Sequence, residues 1–419
     1  MNRLKTFSQY LALILAGEAI FLLPFMVPRV FRTTLLEVYQ IDNLELGYCF
    51  SLYGLVAVVS YFFGGPLADL FSARKLMAIA LGLTALGGFI ISWWPNYTAL
   101  LIAYTFWGFS TILLFWAALM KSTRILVDPE NVGKAFGWVE GGRGLSAAIW
   151  SSLAVALFAF YFQDQSSQVI ESRHIAYRYV LQSASLYLIL VAIYVWFILP
   201  KREVQMDLNH SMKGLKELIR LKRLWLQALI LFCAYCGYKI TDDVSLFGHE
   251  VWGLSEEDAV LLSSYTFYLR PITAITAGFL VDRISTAKIL SFSFGISALG
   301  ALALAWFPGQ EMTAFGLIFL GSSLSGIYAL RGIYFSLMRE NQIDRRLSGT
   351  AIGILSVLGY LPDVFMSPFM GWILESNSGP IGHQNLFLSL GLIMILGIIL
   401  SQAWKREYRK VARTAPASS

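Results

Sequence analysis

Six ionisable side chains fall inside stretches of sequence that are otherwise apolar: Glu18, Arg143, Lys239, Arg270, Arg331 and Asp363. A charge in such a setting pairs with an opposite charge, holds a charged solute, or binds and releases a proton. The four cations suit an anionic or zwitterionic solute, and the two carboxylates are the groups able to carry a proton. Glu18 lies about eleven residues into its stretch, roughly 16 Å deep at the helical rise. Arg143 meets it if their helices adjoin, the alternative being a local pair with Glu140 at i, i+3. Lys239 and Asp363 lie at similar depth and would pair across neighbouring helices. Arg270 precedes Pro271, which frees a backbone carbonyl one turn earlier. Arg331 sits near one end of its stretch, where a long side chain can snorkel. Asp242 and Asp243, nearer the other end of theirs, read as surface groups.

Other chemistry finds no support. Cys233-x-x-Cys236 has the spacing of a redox or zinc pair, but it lies in an apolar run without further ligands and reads as two inert thiols. Gly133-Lys134 lacks the upstream glycine and the following Ser/Thr of a phosphate loop, so ATP-driven work is not expected. His174, His210, His249 and His383 fall in loops or at helix ends, which leaves any proton relay at depth to Glu18 and Asp363. No nucleophile–base set of the hydrolase kind is present. The reading is a non-enzyme with no cofactor and no metal.

What must position these charges is a bilayer. Of 419 residues, 57% are hydrophobic and 14% charged, against roughly 45–50% and 25% in an average globular chain. Mean hydropathy is +0.63. Apolar stretches fall at about 8–31, 46–66, 76–94, 97–120, 137–161, 179–199, 224–245, 259–281, 287–306, 313–337, 349–373 and 385–403, each near the roughly 20 residues of one crossing. The fold class is therefore all-α, with twelve transmembrane helices. The first stretch is no cleavable signal, because it carries Glu18, outruns an h-region and lacks a small-x-small cleavage site. Three cysteines exclude a disulfide framework.

The basic balance has a topological cause. If the N-terminus is cytoplasmic, 24 of the 32 Lys and Arg fall in inside segments and only Arg29, Arg32, Arg173 and Arg178 outside. That asymmetry puts both termini in the cytoplasm and removes the case for nucleic-acid binding. An inner (plasma) membrane of the bacterial kind is expected.

The chain also repeats. Ile41–Asp69 and Leu254–Asp282 each begin on an acidic turn and end on Gly-x-Leu-x-Asp, at an offset of 213; Gly133-Lys-Ala135-Phe-Gly137 meets Gly349-Thr-Ala351-Ile-Gly353 at 216. Two six-helix halves in one orientation place a solute path between them near the midplane. The division is 1–199, a cytoplasmic linker 200–223, 224–405 and a tail 406–419.

Gly65-Pro-Leu67-Ala68-Asp69-Leu-Phe-Ser-Ala-Arg74-Lys75 resembles the G-x-L-A-D-R-x-G-R-R-K loop of the major facilitator superfamily, with Leu70 and Ser72 as departures, and Gly278–Arg283 is its partial copy. The resemblance covers nearly the whole chain and implies a secondary transporter working by alternating access. It implies a gating loop of Gly65, Asp69, Arg74, Lys75, Gly278 and Asp282. In that superfamily's organophosphate branch two arginines grip phosphate. Here the equivalent positions are Met26 and Lys239, which suits a carboxylate or zwitterion better than a phosphate fork. The glycines Gly137, Gly141, Gly142 and Gly144 lack the proline of the drug-antiporter pattern. The expected function is transport of a small polar metabolite coupled to protons by symport, with Lys239, Arg270, Arg331 and Arg143 on the substrate and Glu18 and Asp363 on the proton, in a protein functional as a monomer. The alternatives are a drug/proton antiporter and, in another class, a non-transporting sensor.

Overall fold

The computed structural model describes residues 3–125, 132–162, 169–200, 218–281, 283–307, 313–340, 348–377 and 379–414. Eleven helices among them are long and apolar enough to cross a membrane: Thr6–Val30, Asn43–Gly64, Ala73–Trp93, Tyr97–Thr123, Val139–Tyr161, Glu171–Ile198, Lys222–Glu250, Thr286–Trp306, Ala314–Ile333, Gly353–Ser376 and Pro380–Lys410. The remaining expected crossing, the eighth, is present as two helices, Glu256–Thr266 and Leu269–Val281. It breaks because Pro271 has no N–H to give and disfavours helical geometry in the residue before it. That break falls beside Arg270.

The repeat is visible in the helix caps. Asp42 caps the second crossing in a capping box with Glu45. At the same 213 offset Ser255 caps the eighth and accepts from the backbone of Asp258. The acidic turns that open both repeats are therefore helix starts, where carboxylates satisfy free N–H groups and face the positive end of the dipole.

Two regular helices widen into π-turns, Leu22–Met26 in the first crossing and Phe109–Trp116 in the fourth. In the first, Pro24 removes a donor and the Met26 N–H reaches back five residues to Phe21 O at 3.2 Å. Such insertions rotate the following side chains and mark functional stretches of helix.

Buried apolar side chains form two clusters. One runs from Ala12 to Leu199 with Val260 and Phe267 added; the other runs from Leu218 to Trp404. Outward faces carry Phe160 and Phe197, each 76% exposed, an apolar surface that suits lipid rather than water. Trp93, Trp94 and Trp306 ring the end away from the chain termini, as interfacial belts do. Residues 201–217, the greater part of the expected linker, lie outside the described residues, and the last helix continues to Thr414, past the expected boundary at 405.

Candidate functional site

The first crossing, through Glu18, Phe21, Phe25, Met26 and Arg29, and the seventh, through Tyr235, Tyr238 and Lys239, line a cavity of about 60 Å³. All six charged residues singled out from sequence line it: Glu18, Arg143, Lys239, Arg270, Arg331 and Asp363. They form two networks. Glu18 receives Arg270 Nη1 at 3.0 Å from the opposite half and lies 3.3 Å from Arg143 Nε in its own. Arg143 also holds Glu140, which stands 3.7 Å from Arg270. Both pairings open to Arg143 are therefore made together. Across the cavity Lys239 Nζ lies 2.9 Å from Asp242 and 3.6 Å from Asp363, while Tyr235 donates to both Asp363 oxygens at 3.0–3.1 Å. The Lys239 ammonium also faces the Phe50 ring at 4.4 Å.

Arg331 differs from the other cations. Its guanidinium does not snorkel but stacks over Tyr238 at 3.9 Å. Its Nε and Nη1 are buried and have no hydrogen-bond partner among the described residues. Two buried guanidinium nitrogens without an acid beside them are costly unless a ligand completes them, and the planar fork fits a carboxylate.

Three residues at or beside the site escaped the sequence reading, and each corrects it. Asp242 and Asp243 are not surface groups: they are 2% and 1% exposed. Arg29, assigned to an outer helix end, is 3% exposed and lines the cavity. Its Nε and Nη2 meet Asp242 Oδ1 at 2.7 and 2.6 Å and its Nη1 donates to Tyr238 at 2.9 Å. The signal was present, since 29 and 242 are related by the repeat offset of 213. Equivalent residues of two halves related by a pseudo-twofold meet when they lie at the axis.

Half of the lining is aromatic, including Phe21, Phe25, Tyr61, Trp116 and Tyr360. Tyr61 stacks on Tyr360 across the two halves at 5.8 Å, and Trp116 stands edge-on to Tyr360 at 6.3 Å. These rings come largely from the two π-turns and from the second and eleventh crossings.

The end away from the termini is sealed. Arg32 joins Asn43 and the Asp242 carbonyl, Thr34 bonds Glu256, Arg173 lies 2.7 Å from Glu256, and Asn43 donates from both its nitrogens to Glu375 at 2.9–3.0 Å. Each reaches from one half to the other, apart from the Arg32–Asn43 bond. The second and eleventh crossings touch at backbone distance: a Cβ on Gly54 would lie 2.5 Å from the Asp363 carbonyl carbon, and one on Gly371 2.5 Å from Asn43 O.

The expected gating loop is placed only in part. Arg74 donates to Trp196 O at 3.0 Å and stacks on that ring, inside its own half. Lys75 is exposed, and Gly278 faces open space. The helix Asn43–Leu70 carries Gly65 and Asp69 on its backbone; the Asp69 side chain and Asp282 lie outside the described residues. Cys233 and Cys236 are buried free thiols.

A helical membrane protein with a charged, aromatic cavity between two repeated halves has the build of a transporter rather than an enzyme. The comparisons give the same class. The chain belongs to the Major Facilitator Superfamily, whose sequence profile matches residues 10–365. It is 25% identical to inner membrane protein YqcE of Escherichia coli (strain K12) over 393 residues, covering 89% of each chain. To inner membrane protein YihN of the same organism it is 25% identical over 415 residues, covering 95% of this chain and 94% of the other. Among solved structures it is similar to a bacterial homologue of the human lysosomal transporter Spinster in an inward-facing, unoccupied conformation. That match has a TM-score of 0.74 and 12% identity, covering 98% of this chain and 99% of that one.

Proposed function

We propose that this transporter moves a small organic anion, carrying one net negative charge, together with protons. The observation that carries the reading is Arg331. Five cations line the cavity, Arg29, Arg143, Lys239, Arg270 and Arg331. Four of them stand within 4.0 Å of Glu18, Glu140, Asp242 or Asp363, and Arg331 is the fifth. One positive charge is left for a solute to neutralise. The stacked rings favour a ring or a sugar-like face on that solute, against which aromatic side chains pack well. A phosphate dianion would call for a second free arginine.

The cavity of about 60 Å³ is far below the roughly 300–1,000 Å³ of pockets that enclose small ligands. The halves must separate to admit the solute, which is alternating access about the sealed end. With both termini in the cytoplasm, that end faces outward. An anion arriving among Arg270, Arg331 and Lys239 competes with Glu18 and Asp363 for them, and a carboxylate released from its cation is free to take up a proton. Solute and proton then travel in the same direction.

The test is counterflow and gradient-driven accumulation in proteoliposomes over a panel of labelled organic monoanions, zwitterions and lipophilic cations. Monoanions should exchange, and an acidic outside should drive their accumulation. Glu18→Gln or Asp363→Asn should lose the gradient-driven part and keep exchange. Exchange confined to lipophilic cations would favour an efflux pump, binding without flux a sensor, and accumulation that follows sodium or ignores pH would end the proton reading.

A further inference from the structure

His383 opens the last crossing and is wholly buried. Its Nδ1 lies 2.9 Å from Asp243 Oδ2 and its Nε2 lies 3.0 Å from Glu250 Oε2. A neutral imidazole has one N–H, so it donates to one carboxylate and turns a lone pair on the other. Both short contacts are satisfied together only when both ring nitrogens carry hydrogen or when one acid is protonated. The three groups thus hold one proton more than a neutral histidine between two carboxylates would. They also grade from water to core: the Glu250 side chain is 34% exposed and that of Asp243 1%. Asp243 Oδ1 is buried with no hydrogen-bond partner among the described residues. Phe247 seals the imidazole from the side, with its ring 5.5 Å away.

Asp243 shares the single turn Ile240–Asp243 with Asp242, the residue that ties Arg29 of the other half to Lys239. Among the described residues the charged groups here are Arg29, Lys239, His383 and Arg32, which donates to the Asp242 carbonyl at 3.3 Å, against Asp242, Asp243, Glu250 and Asp363, which leans on Lys239 at 3.6 Å. With a charged imidazole these eight balance. Without it, Asp243 or Glu250 is left uncompensated beside the Arg29–Asp242 contact, in a setting where an unpaired charge is costly.

We propose that Glu250, His383 and Asp243 form a further site, besides Glu18 and Asp363, at which a proton from the outer face is bound, and that its occupancy holds shut the seal made by Arg29 and Asp242. The inference deepens the proton-coupled reading above and rests on it for its physiological direction. One proton arrives at Glu250 from water and is passed to Nε2, and the proton on Nδ1 moves towards Asp243; no other bond is made or broken. Protonation stabilises the sealed form, so the seal is complete at low pH and weakens as pH rises through the titration of the site. A carrier loaded with a proton from outside would close its outer face, as symport requires.

The experiment needs no solute. Spin labels at Trp94→Cys and Phe307→Cys, both exposed positions at the sealed end, report the distance between the halves in the full chain held in lipid nanodiscs. From about pH 6 to about pH 9 the population at longer distance should grow by about tenfold, the factor that one lost charged contact commands. His383→Gln, which cannot gain a proton, should remove that dependence. Glu250→Gln, at the partly exposed rim, should shift its midpoint and serves if His383→Gln does not fold. A wild-type distance independent of pH, or a dependence that survives unchanged in either variant, overturns the proposal. The flux assay above judges proton coupling separately, so the two can fail independently.

Discussion

Removing Arg331 orphans no carboxylate, because none stands within ion-pair distance of it among the described residues. Removing Arg270 takes a 3.0 Å partner from Glu18. The two substitutions should therefore separate binding from stability. Arg331→Met should weaken monoanion binding by about tenfold or more with the melting temperature kept, measured by counterflow and by thermal shift on one preparation. Arg270→Met should lower stability as well, by on the order of 1.5–3 kcal/mol, the worth of a hydrogen bond to a charged group; Arg143 remains to hold Glu18. Equal loss of stability in the two variants would return Arg331 to the structural charges. Arg331→Lys should not restore full binding, since an ammonium keeps the charge but loses the fork and the stacking on Tyr238.

At the scale of elements, the second and eleventh crossings meet through glycine. A methyl group on Gly54 would sit 2.5 Å from the backbone of Asp363, closer than any carbon contact allows, and helices that rely on small residues for close approach separate when these are enlarged. Gly54→Ala should favour the form with the sealed end open, read as a longer distance between labels at Trp94→Cys and Phe307→Cys. An unchanged distance would show that these crossings do not move apart there. The broken eighth crossing makes a second case. Pro271 fixes the break that presents Arg270 to Glu18, so Pro271→Ala, which restores an N–H and a continuous helix, should weaken exchange without touching a charged side chain.

For the molecule as a whole, alternating access makes the seal a working part. Thr34 and Glu256 hydrogen-bond between the halves, so cysteines placed at these two positions and crosslinked should abolish flux, with recovery on reduction. The three native cysteines are buried and should not interfere. Undiminished flux in the crosslinked protein would exclude rocking of residues 8–199 against 224–403.

Composition and periodicity were enough for the membrane, the helical class and the doubling of the chain, because these depend on local apolar runs and on residue order alone. The charges at depth were legible for the same reason: Glu18, Arg143, Lys239, Arg270, Arg331 and Asp363 stand out against apolar neighbours, wherever the helices go. What tertiary structure alone decided is which charges neutralise one another. Arg331 reads from sequence like Arg143 or Arg270, and only the placement of Glu140, Asp242 and Glu18 leaves it without an acid. Position along a helix also misled. Asp242, Asp243, Arg29 and His383 lie near helix ends, where a lone helix would meet water; Asp242 and Arg29 are buried against each other across the two halves, and Asp243 and His383 against each other within the second half. Burial at an interface between distant segments is a property of the closed pair, and no single stretch of sequence encodes it.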